Sequence, residues 1–464
     1  MTATTRHLGV LDTAFLDVED ADPHVSLAIG SVLVLDGPPP DRDEFTARVG
    51  PRLLSLPDAT ATVRRGPLGA PELVESRRFS LDHHVRRVAV TAPGDDAALH
   101  DLVASIMEQR LDREHPLWEC WVVEGLAGGR WAVVFKVHHC LVDGVGGVDL
   151  LTALCTNRFS TTTVVRPVPR PPLRAARRVV RGAAELIGAA VPVATSSLIG
   201  PIGSRRRYRV VRTSLPEVAA VGRAFGATVN DVVLTAVSAG LRDLLVARGE
   251  PPCPRAVRAL VPVSVRDERT GSGGNAVSVR LPFLPIHITD PLEALGKVHR
   301  AMRHRRGTGE SDAGQAFLAL ARHACPRLLS SGVRLGAHLP QRSITTVTTN
   351  VPGPRHALTL AGRAVTEILP YVPLALDLRT GIAALTYQDN LTMGITGDRT
   401  TTPDLDVLAT GITQELHRLT TLAAPSCAPS PSHPGRPSGS APKLNTSFRA
   451  NTSAATSANR VPVR

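Results

Sequence analysis

The sequence predicts an α/β protein with two domains of mixed strands and helices, joined by a basic linker and followed by a tail. Three observations predict it. Residues 1–160 alternate strand-like and helix-like stretches, and residues 205–424 do so again. Between them, residues 161–204 open with the Pro- and Arg-rich run "TTTVVRPVPRPPLRAARRVVRG". From residue 425 the chain is low-complexity Ser, Pro, Ala and Arg, a composition expected to stay disordered. The chain has 464 residues and is 43% hydrophobic, enough for two cores of ordinary size. Aromatic residues are only 3%, so those cores must be built from Val, Leu, Ala and Ile.

The elements follow in order. "SLAIGSVLVLDG" reads as a strand that ends in a turn. "DDAALHDLVASIMEQRL" reads as a helix, because Leu99, Leu102, Val103 and Ile106 fall on one face. "PLWECWVVEGL" and "RWAVVFKVHH" read as two strands of a hairpin around "AGG". After the linker, "AAELIGAAVPVATSSLIGPIG" is apolar, but Pro192 and its glycines interrupt it. It suits packing on the protein's own body better than spanning a bilayer, and lying on a membrane surface is the other reading. "ATVNDVVLTAVSAGLRDLLVARG" is a helix with Gly249 past its end. "RAVRALVPVSVR", "NAVSVRLPFLPI", "SITTVTTNVPGP" and "ALTYQDNLTMGITGD" read as strands.

The formal charge of +12 is not a nucleic-acid signal once its distribution is read. Residues 161–212 hold eleven arginines and one acid, Glu185, and residues 425–464 hold five basic residues and no acid. The remainder carries 37 basic and 40 acidic residues, so the body is close to neutral. A basic linker suits an anionic lipid surface, while the scarcity of lysine is equally consistent with biased codon use. Six scattered cysteines with no CxxC pair argue against zinc and disulfides and for a reducing cytosol. No secretory leader is expected from "MTATTRHLGVLDTAFL".

The chemistry is expected in "WAVVFKVHHCLVDGVGGVDLL", Trp131 to Leu151. Strand alternation places Trp131, Val133, Phe135, Val137 and His139 on one face and Ala132, Val134, Lys136 and His138 on the other. On that reading His139 continues an apolar face, and burial favours the neutral ring that a general base needs. Gly144, Gly146 and Gly147 allow a sharp turn, and Asp143 is placed to cap the following helix. The bland alternative is a strand–turn–helix with a satisfied core histidine. Asn230 and Asp231 start the later helix, with Thr228 and Asp231 at the spacing of a capping box. His83-His84 is a second histidine pair, but it lacks the DG and the long apolar strand. It is expected at the surface or a channel rim.

His138-His139-Cys140-Leu141-Val142-Asp143-Gly144 matches HHxxxDG and resembles the signature of the CoA-dependent acyltransferase superfamily. "LGVLDTAFLDVEDADPHVSLAIGSVLVLDG", Pro116-Leu117-Trp118, Asn230-Asp231, "LVPVSVR", "TTNVPGP" and "TYQDNLTMGITGDRTTTPDLDVL" resemble, in order, blocks of the bacterial wax ester synthase/diacylglycerol acyltransferase family. One departure is Pro23 where that family usually has methionine before His-Val. The resemblance implies two chloramphenicol-acetyltransferase-like domains with the active-site channel between them. It implies His139 as general base, His138 and Asp143 as support for the motif, Gly144 as its turn and Asn230 as a wall of the site. It implies acyl-CoA as co-substrate with no cofactor and no metal. The implied acceptor is diacylglycerol or a fatty alcohol, and the implied place is the cytoplasm with peripheral contact to a membrane or lipid droplet. Two rivals are a same-fold enzyme using another alcohol and a droplet-coating protein without turnover.

Overall fold

The computed structural model describes residues 6–66, 70–76, 79–142, 144–156, 193–194, 196–264, 277–303, 326–337 and 341–424. Most of the basic linker, Asp143 and the tail lie outside the described residues. In chain order the strands are β1 (Arg6–His7), β2 (Ala28–Leu35), β3 (Ala61–Arg65), β4 (Pro71–Glu75), β5 (Val85–Ala89), β6 (Trp118–Leu126), β7 (Arg130–His138) and β8 (Arg206–Ser214). They continue with β9 (Ala259–Ser264), β10 (Val277–Arg280), β11 (Thr346–Val351), β12 (Thr359–Leu360), β13 (Arg363–Tyr371), β14 (Thr380–Tyr387) and β15 (Asn390–Asp398). The helices are α1 (Val10–Ala21), α2 (Arg42–Leu54), α3 (Leu81–His84), α4 (Asp96–Glu108), α5 (Gly144–Thr156), α6 (Leu215–Phe225), α7 (Val229–Ala247), α8 (Pro291–Arg303), α9 (Pro326–Ala337) and α10 (Leu405–Ala423).

Two mixed six-stranded sheets carry the architecture. The first runs β12-β13-β2-β7-β6-β5 and the second β10-β9-β11-β14-β15-β8. A small β1-β4-β3 sheet stands apart. β7 is central in the first sheet, antiparallel to β2 on one side and to β6 on the other. Its residues are buried on both faces, as its near-continuous apolar sequence requires. Trp131, Val133, Phe135 and Val137 join the core under α2 and α5, while Ala132 and Val134 join the core under α4. Each fully buried large side chain contributes roughly 1.5–3 kcal/mol. The expected face of α4 holds, with Leu99, Val103 and Ile106 buried.

The two sheets are not built from the two halves of the sequence alone. β12 and β13 come from the second half but complete the first sheet, β13 pairing antiparallel with β2 from Val365↔Leu35 to Tyr371↔Gly30. The sheets meet where β13 passes β15. A Cβ on Gly394 would lie 1.8 Å from the Pro370 carbonyl oxygen, so only glycine permits that approach. The Tyr208 hydroxyl donates to the same carbonyl at 2.8 Å. α4 also spans the junction, with Asp96 accepting from Arg212 of β8 at 2.9 Å.

The second sheet buries α7 and α10 in one large core with Leu234, Val237, Leu241, Leu408 and Ile412. The described part of the apolar segment after the linker packs on the body: Leu198 is in that core, and Ile202 packs with Val25, Leu27 and Leu374. Among the described residues no single helix is long and apolar enough to cross a membrane. α6 and α7 reach that length only together, bent by 99°.

Candidate active site

The end of β7 determines the site. His138 is its last residue, paired with Ala28, and His139 follows in a turn while its amide still donates to the Leu27 carbonyl at 3.0 Å. The strand therefore stops one residue earlier than strict alternation requires. The expectation that His139 continues the apolar face of β7 is corrected here, because the strand ends at His138. His138 is 0% exposed, whereas His139 is only partly buried. A turn residue is released from the pleat, so the face assignment lapses at the point where the ladder ends.

His138 is held from both ring nitrogens. The Cys140 amide donates to Nδ1 at 3.1 Å, so that nitrogen carries no proton. Nε2 is then the protonated one, and it faces Glu19 Oε2 at 3.3 Å. Burial pushes the His138 ring below its ordinary pKa despite the opposing pull of Glu19, and the ring is neutral near pH 7. Glu19, on α1, is buried too. Burial alone would raise its carboxyl, but the His138 hydrogen bond, the Arg113 guanidinium and the Leu27 amide at 2.9 Å hold it down to about 2. It is a fixed anion with three donors.

His139 lies against the same helix. Its ring stacks on Phe15 with centroids 4.1 Å apart and planes 22° from parallel. Phe15 and Glu19 are four residues apart, so one helical face carries both supports. Phe15 also packs against Val25, Leu27, Ile202 and Leu374, an apolar cluster drawn from both halves of the sequence. The partly buried His139 is thus backed by an aromatic face that itself packs on apolar side chains.

The remaining predicted residues fall into place around this turn or away from it. Gly144 opens α5, and Asp143 lies outside the described residues. Cys140 is 2% exposed and burial pushes its thiol up, which disqualifies it as a nucleophile. The Leu117 carbonyl accepts from the His138 amide at 3.0 Å, and Trp118 Nε1 donates to the Ala59 carbonyl at 2.8 Å. Pro116-Leu117-Trp118 is scaffold beneath the histidines. Asn230 is partly buried in the first turn of α7, which packs on α10, α8 and α6 over the second sheet. Beside it Asp231 closes the capping box, accepting from the Thr228 amide at 2.9 Å and donating its own amide to Thr228 Oγ1 at 3.2 Å. Asp231 Oδ2 also meets His299 Nδ1 of α8 at 2.8 Å.

His83-His84 is corrected in part. His83 is partly exposed, but His84 is a core histidine at 0% exposure. His84 stacks on Trp118 at 4.4 Å, its Nδ1 faces the Trp118 carbonyl at 2.7 Å, and burial lowers its pKa to about 4. Among the described residues, His83, Asp112 and His115 could offer three ligand atoms to a cation. However, the His83 and His115 rings stack face to face at 3.6 Å and 18°, so their in-plane lone pairs run side by side and do not converge.

Sequence reasoning missed Glu19, Phe15 and His299. The signal for the first two was present: "AFLDVE" places an aromatic and a carboxylate at i and i+4 on an amphipathic helix.

Comparison with known proteins agrees with this architecture. The chain matches the wax ester synthase/diacylglycerol acyltransferase catalytic domain over residues 8–192 and 161–233, and the WS/DGAT C-terminal domain over residues 273–420. It is 38% identical to a Mycobacterium tuberculosis protein described as a probable diacylglycerol O-acyltransferase, over 90% of this chain and 96% of that one. The structure resembles the wax ester synthase/diacylglycerol acyltransferase of Marinobacter aquaeolei VT8, with TM-score 0.66, 26% identity, and 90% and 99% of the two chains covered. It also resembles the first condensation domain of the CDA synthetase in fold, with TM-score 0.58 and 16% identity over 92% and 97%. With the HHxxxDG turn at the end of a central strand and both family domains matched along the chain, this protein belongs to the wax ester synthase/diacylglycerol acyltransferase family of acyltransferases.

Proposed function

We propose that the protein moves a long-chain fatty acyl group from acyl-CoA to the hydroxyl of diacylglycerol or a fatty alcohol, with His139 as general base. The observation that carries this reading is the contrast between the two motif histidines. His138 has both nitrogens engaged and is fully buried, while His139 is only partly buried and stacks on Phe15, which packs on an apolar cluster. A base must reach its substrate, and an acyl chain needs apolar walls.

In this mechanism a ring nitrogen of His139 takes the proton of the acceptor hydroxyl as its oxygen attacks the thioester carbonyl carbon. The tetrahedral oxyanion collapses, the C–S bond breaks, and the imidazolium returns its proton to the departing CoA thiolate. An ester and free CoA result, with no covalent intermediate on the chain. His138 fixes the turn, and Gly144 opens α5; Asp143 supports the motif. Asn230 contributes a wall of the site. Acyl-CoA is a co-substrate, and no step calls for a cofactor or metal. The lipid acceptor and the six arginines within residues 161–204 favour a cytoplasmic protein working at an anionic membrane or droplet surface.

The test is release of CoA from a long acyl-CoA with diacylglycerol, with fatty alcohol, with a small alcohol, and with no acceptor. Ester should form with one or both lipid acceptors. His139→Ala should lose about 100-fold or more while keeping its circular dichroism spectrum. A folded H139A variant with full turnover would place the base elsewhere. Preference for the small alcohol would replace the lipid acceptors.

A further inference from the structure

The acyltransferase reading gives His139 a task but does not say what aims it. We propose that α1 is the positioning element of the active site: Glu19 locks His138 into the tautomer that shapes the turn, and Phe15, one turn earlier on the same face, supports the His139 ring. This rests on the reading of His139 as the base.

The argument begins with the donors around Glu19. Oε1 accepts from the Leu27 amide at 2.9 Å, and Oε2 accepts from His138 Nε2 and from Arg113. All three are donors, so the site is built for a carboxylate. An Nε2–H tautomer of His138 leaves Nδ1 bare, and the Cys140 amide donates to it at 3.1 Å. That bond closes around His139, which lies between the two residues it joins. The backbone on the other side is fixed as well, since the His139 amide donates to Leu27 and the Leu27 amide donates to Glu19. The carboxylate therefore reaches His139 by two routes, one through the His138 ring and one through the neighbouring strand. Phe15 then limits the ring's rotation from the side, stacked at 4.1 Å.

α1 itself is anchored independently of the site. Asp17 accepts from Arg65 at 2.9 Å, and Arg334 of α9 reaches both Asp17 and Asp20 at 3.2 Å. Leu16 packs in the core under α4. A helix fixed at several points is a suitable platform for aiming a side chain, because small misplacements of a base are costly.

Glu19→Gln separates positioning from bulk. A glutamine has one acceptor oxygen where three donors converge. Either its NH2 faces the Leu27 amide, or it faces His138 and calls for the opposite tautomer. That tautomer puts a proton on Nδ1, against the Cys140 amide. Full-length wild type, E19Q, Phe15→Leu, His138→Gln and H139A are compared for kcat, for KM of acyl-CoA and for thermal melting. Positioning predicts that folded E19Q and F15L lose roughly 10- to 100-fold in kcat with KM for acyl-CoA within about twofold of wild type. It also predicts that the E19Q/H138Q double variant is no slower than the slower single, because both break one chain of contacts. A folded E19Q with wild-type kcat overturns the proposal, and so does an additive double variant. If E19Q does not fold, F15L decides: normal kcat there overturns the proposal and a fall in kcat with unchanged KM upholds it. H139A at full turnover fails the underlying reading instead, and is distinguished because E19Q plays no part in that result.

Discussion

Lys136 offers a test of the physics beneath the site. It lies two residues before His138 on the same face of β7 and is 0% exposed. Its Nζ donates to the Ile106 and Gln109 carbonyls at 2.8 and 2.6 Å, capping the end of α4, and stands 3.8 Å from Glu119. Burial lowers its pKa from 10.5 to about 8, with Glu119 and Glu19 only partly offsetting that loss. The folded state therefore disfavours the charged form. Below pH 8 the lysine is charged in both states, and burial costs stability. Between pH 8 and 10.5 the unfolded chain holds the extra proton, so stability rises with pH. At about 1.4 kcal/mol per pH unit the full change is on the order of 3 kcal/mol. Lys136→Met removes this term. It leaves the Ile106 carbonyl without the lysine, at about 1–3 kcal/mol, while the Gln109 carbonyl keeps Ser26 Oγ at 3.0 Å. At pH 7 the relief and the loss nearly cancel. At pH 10 only the loss remains. Urea unfolding of both proteins at pH 7 and pH 10 measures the difference, in which all other titrations cancel. The stability of wild type relative to K136M should grow by 2–3 kcal/mol, roughly, across that interval. A gap that stays constant, or shrinks, refutes the reasoning.

Other predictions follow from the same structure. Trp118→Ala removes a ring that is 3% exposed, its bond to Ala59 and its stack on His84, and should cost about 3–5 kcal/mol in urea unfolding. His84 is buried and its pKa is lowered to about 4, so its contribution is present above pH 6.5 and is lost as pH falls toward 4. His84→Phe should therefore flatten the acid limb of stability by about 3 kcal/mol, read from melts between pH 7 and 4. Removing residues 425–464 should leave kcat and melting temperature unchanged, since the acyltransferase domains match no further than residue 420. A dead truncation would give the tail a part in catalysis.

Much of this fold was legible because the signals were local. α4 and α7 have apolar periodicity and capping residues in the sequence itself, and β6 and β7 are apolar runs flanking a glycine pair. The capping box of Thr228 and Asp231 was readable for the same reason. What was not legible depended on distant partners. Nothing in "RAVTEILPY" says that it will leave its own half and pair with β2, because antiparallel pairing is decided by which edge is open after folding. His84 was misjudged because its burial comes from Trp118 and Phe79, a stack that spacing does not encode. The bond from His299 to Asp231 spans 68 residues and leaves no local trace.

If His139 is the base, as proposed, the reason lies in the turn that ends β7 and not in strand alternation. Alternation placed His139 on the apolar face and expected a base there from its burial. In the structure the deep ring is His138, and depth is what disqualifies it: a neutral imidazole with Nδ1 filled by an amide and Nε2 by a carboxylate has no site left to take a substrate proton. Basicity alone cannot choose between the two rings, but access can. The turn that ends β7 moves His139 out of the pleat, and the same turn needs His138 to remain in it. On the proposed mechanism, adjacent histidines are two parts of one device, one fixing the backbone and the other taking the proton. This makes an asymmetric prediction for the pair. His138→Gln should slow turnover through kcat and leave the pH at which the base titrates unchanged, whereas replacing His139 should remove that titration altogether. The pH dependence of kcat/KM for the two variants measures it, and an acidic limb that shifts with H138Q would show that His138 itself exchanges the proton.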